Sequence, residues 1–232
     1  PARAGSPTAA RRLFAASKPV AGTLAATYLV SRGIIRTDDL PALRFHPRCF
    51  YRPNEDDGPG TPSSFPALIA SVTNDDCVQT GTHRTWLNPN GKAKAAVASP
   101  RRAMGNILGH AIRFGPTSDV MVAGEGIETV LSLREILPKV PMAAATSSAH
   151  LAGILFGCDL RRLYVARDRD KAGDAAFAIL ADRAQAAGIE LVSLMPTLGD
   201  FNDDLRQHGG SALEASIIAQ LLDADRNRFI TG

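Results

Sequence analysis

Six carboxylates fall where they could share one task. Glu125 follows a short apolar run that ends at Gly124. Asp168 and Asp170, two residues apart, follow a later apolar run, and Asp200, Asp203 and Asp204 follow another. Alternate side chains of an extended segment share a face, so Asp168 and Asp170 can reach one ion. Carboxylates gathered without a basic partner repel one another. A divalent cation relieves that repulsion, and hard oxygen donors suit Mg²⁺ or Mn²⁺. Such an ion polarises a phosphoryl oxygen, and two ions about 3.5–4 Å apart steady both the attacking and the leaving oxygen. Each piece alone has a plainer reading. An Asp-x-Asp is usually a solvated turn, Gly124-Glu125-Gly126 a helix start with a favourable acid, and Asp200 a helix cap. Their combination at three strand ends of one array of alternating strands and helices favours a metal site.

The elements around these acids explain why they should converge. Residues 119–123, 142–146, 163–166 and 191–195 read as short apolar strands. Helical patterns run from 127 to 137, 173 to 187, 201 to 208 and 211 to 222, with a short helical piece at 151–156. Strands alternating with helices predict a mostly parallel four-stranded sheet flanked by helices, a Rossmann-like α/β fold. In open parallel sheets ligands bind beyond the carboxyl ends of the strands, where all six acids lie.

Ahead of Gly115-Pro116 the rhythm differs. Residues 1–9 read as a flexible lead-in and 10–17 as a short helix. Thr23 caps a helix to about Arg32, and Gly33 stops it. Residues 40–51, 65–72, 77–87 and 92–98 read as strands, with hairpin chemistry at Asn88-Pro89-Asn90-Gly91. This predicts a smaller α+β domain with an antiparallel meander over 1–115, then an α/β domain over 116–209 and a helical tail over 210–232. His83, Arg84, Lys92, Lys94, Arg101 and Arg102 cluster around the meander, where cations grip phosphates. Trp86 either stacks a base or packs inside.

The motifs resemble a known family. Val120 to Leu133, with Gly124-Glu125-Gly126 and Glu128, resembles the first Toprim motif, a hydrophobic strand ending in Glu-Gly. Asp168-Arg169-Asp170-Lys171-Ala172-Gly173 resembles the second, and Gly199-Asp200-Phe201-Asn202-Asp203-Asp204-Leu205 the closing motif of plasmid and phage primases. The resemblance spans about residues 118–209. It implies that Glu125 acts as general acid/base or metal ligand, that Asp168 and Asp170 bind metal, and that Asp200 and Asp203 assist. Glu128 and Asp204 both stand as candidates for a further acid.

Tyr28-Leu29 to Arg32-Gly33 is similar to a helix ahead of the polymerase core of DnaG-type primases. Lys92 to Arg102 is similar to the basic stretch leading into their Toprim part. The implied activity is primase synthesis of RNA primers, with single-stranded DNA as template and ribonucleoside triphosphates as substrates. Arg84, Lys92, Lys94, Arg101, Arg102 and Lys171 would contact nucleotide or nucleic acid. A Toprim nuclease and a non-catalytic nucleic-acid-binding module are the alternatives.

Composition sets outer bounds. The 232 residues carry a formal net charge of +3, a mild basic bias that permits nucleic acid without requiring it. Cys49, Cys77 and Cys158 lack the short spacing of a zinc site and read as reduced thiols of a cytoplasmic protein. No apolar run approaches the ~20 residues of a membrane span. There is no phosphate-binding loop of the helicase type. The chain starts at Pro1 without a signal-peptide pattern, which fits a piece of something longer, such as a mobile-element primase-helicase. A zinc-binding module and a replicative helicase are the partners that the resemblance implies.

Overall fold

The computed structural model describes residues 6–230. The chain divides into two compact units, the first ending at Ile107 and the second beginning at Leu108. Of the lead-in read at 1–9, residues 1–5 lie outside the described residues. The rest is already structured: α1 (Pro7–Ala15) starts there, with Ser6 accepting from the Ala9 N–H and Pro7 in the first turn. Both are standard helix-start chemistry.

The first unit continues with β1 (Lys18–Pro19), α2 (Leu24–Ser31), β2 (Leu43–Phe50), β3 (Ser64–Thr73), β4 (Gln79–Trp86) and β5 (Arg101–Gly105). Thr23 caps α2 by accepting from the Ala25 N–H, and Gly33 follows at φ 78°, the left-handed conformation that suits glycine. The strands form one antiparallel sheet in sequence order, the expected meander. One strand is relocated. Residues 92–98 make only an isolated bridge, Leu87 to Lys94, and the chain re-enters the sheet after Ser99-Pro100 as β5. Ala and Lys, which fill 92–96, are poor strand formers.

On one face of this sheet Cys49, Tyr51, Ala67, Ile69 and Trp86 form a core with Ala95, covered by Leu13 and Phe14 of α1.

The second unit holds β6 (Ile112–Phe114), β7 (Val120–Gly124), α3 (Ile127–Ile136), β8 (Met142–Ala144), α4 (Ser148–Ala152), β9 (Arg162–Ala166), α5 (Lys171–Ala187), β10 (Glu190–Leu194), α6 (Phe201–His208), α7 (Gly210–Gln220) and α8 (Asp223–Phe229). The sheet order is β10-β9-β7-β8-β6. The four expected strands are parallel, and β6 adds a fifth, antiparallel to β8. Residues 108–115 therefore belong with this unit rather than with the meander. Met121, Ala123, Leu163 and Val165 face Leu180 and Ala184 of α5. Strand alternation turns Val122 and Tyr164 to the other face.

The region read as a tail is integrated into the unit. Tyr164 Oη and Arg162 Nη1 both donate to Asp225 of α8 at 2.6 Å, and Tyr164 Oη accepts from the Leu222 N–H. Asp225 is 3% exposed. No helix among the described residues is long and apolar enough to cross a membrane.

Candidate metal centre

Strand register brings the acids to one edge. Gly124, Ala166, Leu194 and Ala144 end their strands as direct partners in neighbouring strands. Parallel strands lie about 4.8 Å apart, so the turns after them form a row. Glu125 is one residue beyond its strand end and Asp168 two beyond.

Three ties hold the row together. The Thr146 N–H donates to the Glu125 carbonyl at 2.8 Å, joining the turns after β7 and β8. The Arg169 N–H donates to the Gly199 carbonyl at 2.8 Å, joining the Asp168–Asp170 turn to the loop before Asp200. Asn202 donates to the Ser132 hydroxyl at 3.0 Å, fastening α6 to α3. The side chain of Ser132 in turn donates to the Glu128 carbonyl. Sequence reading missed Asn202, whose one signal is its place inside the closing motif.

Each acid then has its own surroundings. Asp170 caps α5, accepting from the Gly173 N–H at 2.7 Å. A Cβ on Gly173 would stand 2.4 Å from the Asp168 carbonyl oxygen, so only glycine lets this turn close onto the helix. Asp200 caps α6, accepting from the Asp203 N–H at 2.8 Å. Burial pushes the Asp200 carboxyl up. The charges of Asp203 and Glu128 push the same way, against the N–H groups of Asp203 and Asn202. Asp203 faces back toward Gly199 and lies 3.9 Å from the Arg206 guanidinium.

The two candidates for a further acid separate. Asp204 is 2% exposed and accepts from the Thr197 and Leu198 N–H groups at 2.7 and 2.8 Å. It pins the loop after β10. Glu128 is half-buried in the first turn of α3, close enough to Asp200 to raise its carboxyl.

Among the described residues no three acid, histidine or cysteine side chains converge to hold a metal ion. The row brings Glu125, Glu128, Asp168, Asp170, Asp200 and Asp203 to one sheet edge without gathering three into a closed site. The donor set nevertheless fits a hard divalent cation, being oxygen throughout. Burial is the main cause that raises Asp200, and the repulsion from Asp203 and Glu128 that adds to it is of the kind such an ion relieves.

The basic residues divide as well. Arg44, Ile69, Arg84 and Arg102 are successive cross-strand partners, which sets three arginines in a row on the face that carries Trp86. The Arg84 guanidinium lies 4.9 Å from the Trp86 ring centre. Burial lowers the Arg84 pKa, Cys49 works against that, and the neighbouring Arg102 charge adds to it. Arg102 lies over Tyr51 and donates to the Arg52 carbonyl at 2.8 Å. Arg44 donates to the Phe14 and Ala15 carbonyls that end α1 and to the Ser17 carbonyl just beyond it.

Arg101 points to the opposite face and is exposed, as are Lys92 and Lys171, while Lys94 is half-buried. Lys171 opens α5, where a cation opposes the helix dipole, so the fold gains nothing from its charge. Trp86 is 1% exposed and donates from Nε1 to the Cys49 carbonyl, so it packs inside and is not available for base stacking. His83 is buried too.

Comparison with known proteins agrees with this architecture. A family model described as a Toprim domain matches residues 120–211, and one described as a domain of unknown function, DUF7146, matches residues 4–114. No curated protein matches the chain. Among solved structures, the Aquifex aeolicus primase (zinc-binding and RNA polymerase domains) superposes with a TM-score of 0.62 at 14% identity, over 93% of this chain and 60% of that one. A DNA primase domain from Pseudomonas aeruginosa gives 0.60 at 14% identity, over 92% and 78%. A DnaG primase catalytic domain bound to single-stranded DNA gives 0.59 at 14% identity, over 93% and 78%. The chain thus spans less than two thirds of the Aquifex aeolicus structure. Residues 120–211 match a Toprim domain, in a chain with the fold of DnaG-type primase catalytic cores.

Proposed function

We propose that this chain is the nucleotidyl-transfer core of a primase, which builds short RNA primers on single-stranded DNA. The observation that carries the reading is the row of Glu125, Asp168, Asp170, Asp200 and Asp203 along one sheet edge of a Toprim domain. The primase-core fold of nearly the whole chain supports it.

In this reaction the 3′-hydroxyl of the growing primer attacks the α-phosphorus of an incoming ribonucleoside triphosphate. A new P–O bond forms, the bond to the bridging oxygen breaks, and pyrophosphate leaves. Mg²⁺ or Mn²⁺, held by Asp168 and Asp170 with help from Asp200 and Asp203, would supply charge neutralisation at the phosphates. Glu125 takes the hydroxyl proton or joins the metal ligands. Glu128, beside Asp200, is the better of the two further acids, because Asp204 is committed to the backbone. Lys171 and the exposed Lys92 and Arg101 offer cations to triphosphate or template phosphates, and Lys94, Arg84 and Arg102 are the less exposed of the cations the reading assigns to them.

The test is metal-dependent incorporation of labelled ribonucleotides on single-stranded DNA by the native chain and by Asp168→Ala. Template-dependent short products that vanish in the variant are expected. Metal-dependent cleavage of the strand without synthesis would replace this reading with a nuclease.

A further inference from the structure

Thr146 adopts φ 78°, a left-handed conformation that a β-branched residue rarely takes. Strain of this kind persists only where the surroundings impose it, and it gathers at functional sites. The surroundings here are specific. Thr146 sits two residues past the end of β8, and its N–H donates to the Glu125 carbonyl at 2.8 Å. The preceding N–H, of Ala145, donates to the Gly124 carbonyl at 2.9 Å. The Thr146 hydroxyl pairs with His150 Nδ1 at 3.1 Å. His150 is itself fixed, because its own N–H donates to the Ser147 hydroxyl that caps α4. Burial holds the imidazole below the ordinary histidine range, so a neutral ring faces the hydroxyl near neutral pH.

We propose that Thr146 and His150 are positioning residues for Glu125. His150 holds the Thr146 hydroxyl and so locks the strained backbone whose N–H fixes the Glu125 carbonyl. The backbone of the turn that carries Glu125 is then held at Gly124 and Glu125. A relaxed residue 146 would swing that N–H away and free the turn between Gly124 and Gly126. The inference rests on the reading of Glu125 as part of a divalent-metal centre, and it adds two residues on a different strand and helix from any acid in the row.

The experiment is Mn²⁺ binding by calorimetry on the full chain, with unfolding midpoints measured alongside. Glu125→Gln and Asp168→Ala should each weaken Mn²⁺ binding. Thr146→Val removes the hydroxyl at nearly constant shape, and His150→Ala removes its partner without touching the strained residue. Both should weaken Mn²⁺ binding on the order of tenfold, the scale seen when a group behind a metal ligand is lost. Thr146→Ser keeps the hydroxyl and should bind as the native chain does. A merely structural role would lower the unfolding midpoint and leave the Mn²⁺ affinity of the folded protein untouched, and that result overturns the proposal. Should Thr146→Val fail to fold, His150→Ala decides alone. Weakened binding in Glu125→Gln with native binding in both Thr146→Val and His150→Ala sinks the positioning role only. Native binding in Glu125→Gln, or none by the native chain, sinks the metal-centre reading of Glu125 and the proposal with it.

Discussion

Asp204 and Glu128 show how far two acids of one motif set can diverge. Asp204 is buried, with each carboxylate oxygen taking a backbone N–H from the loop after β10. Asp204→Asn would replace one acceptor with a donor facing one of those N–H groups. The expected loss is about 2 kcal/mol of stability, from a charged hydrogen bond and a stranded buried donor. Glu128→Gln should change stability by less than about 1 kcal/mol, since it removes only a favourable charge at a helix start. Urea unfolding of the two variants checks this, and equal losses would contradict it. From sequence the two were equivalent, because a motif spells residue types and not which oxygens the backbone claims. The same gap separates the readings of Trp86. Its burial follows from Tyr51, 5.0 Å away edge-to-face, which lies far from it in sequence. Asp168, Asp170 and Asp200 were legible as a group because their spacing after strand ends is itself a local pattern.

At the level of elements, the alternating strands and helices of the second unit were legible from apolar runs and caps, while β6 and α8 were not. β6 is three residues long and is a strand only because β8, about thirty residues later, pairs with it. α8 carries Asp, Arg and Asn almost throughout, and no apolar stripe betrays that it docks. It docks through charge: Asp225 joins Arg162 and Tyr164 of β9, and Arg162 also pairs with Glu190 of β10. Asp225→Ala should cost about 3 kcal/mol, the low end for a broken buried pair, because Arg162 keeps Glu190.

The link has a pH signature. Burial, then the bond to Asp225, pushes the Tyr164 hydroxyl from 10.0 up to about 12. The folded state therefore favours the neutral phenol. This contribution is complete below pH 10 and is lost as pH rises toward 12. The stability difference between the native chain and Tyr164→Phe should shrink across that window. A difference that stays constant to pH 12 would rule out this linkage.

Taken whole, the molecule has a formal net charge of only +3, too little for long-range attraction to dominate nucleic-acid binding. For the nucleic-acid binding proposed above, affinity must then come from local cations, and the structure separates those the fold uses from those it does not. Arg44 ends α1, and Arg102 braces Tyr51 and the Arg52 carbonyl. Replacing either should lower stability along with any binding. Lys92 and Arg101 are exposed, and Arg101 projects from the edge strand. Counterion release gives the separating measurement. For single strands the slope of log K against log salt is about −0.7 per phosphate neutralised. Lys92→Ala and Arg101→Ala should each make the slope for a single-stranded oligonucleotide shallower by about 0.7, with urea midpoints unchanged. If both slopes stay native while Arg84→Ala and Arg102→Ala flatten theirs, the phosphates run along the Trp86 face of the sheet instead. The arginine row would then be a binding surface as well as a brace.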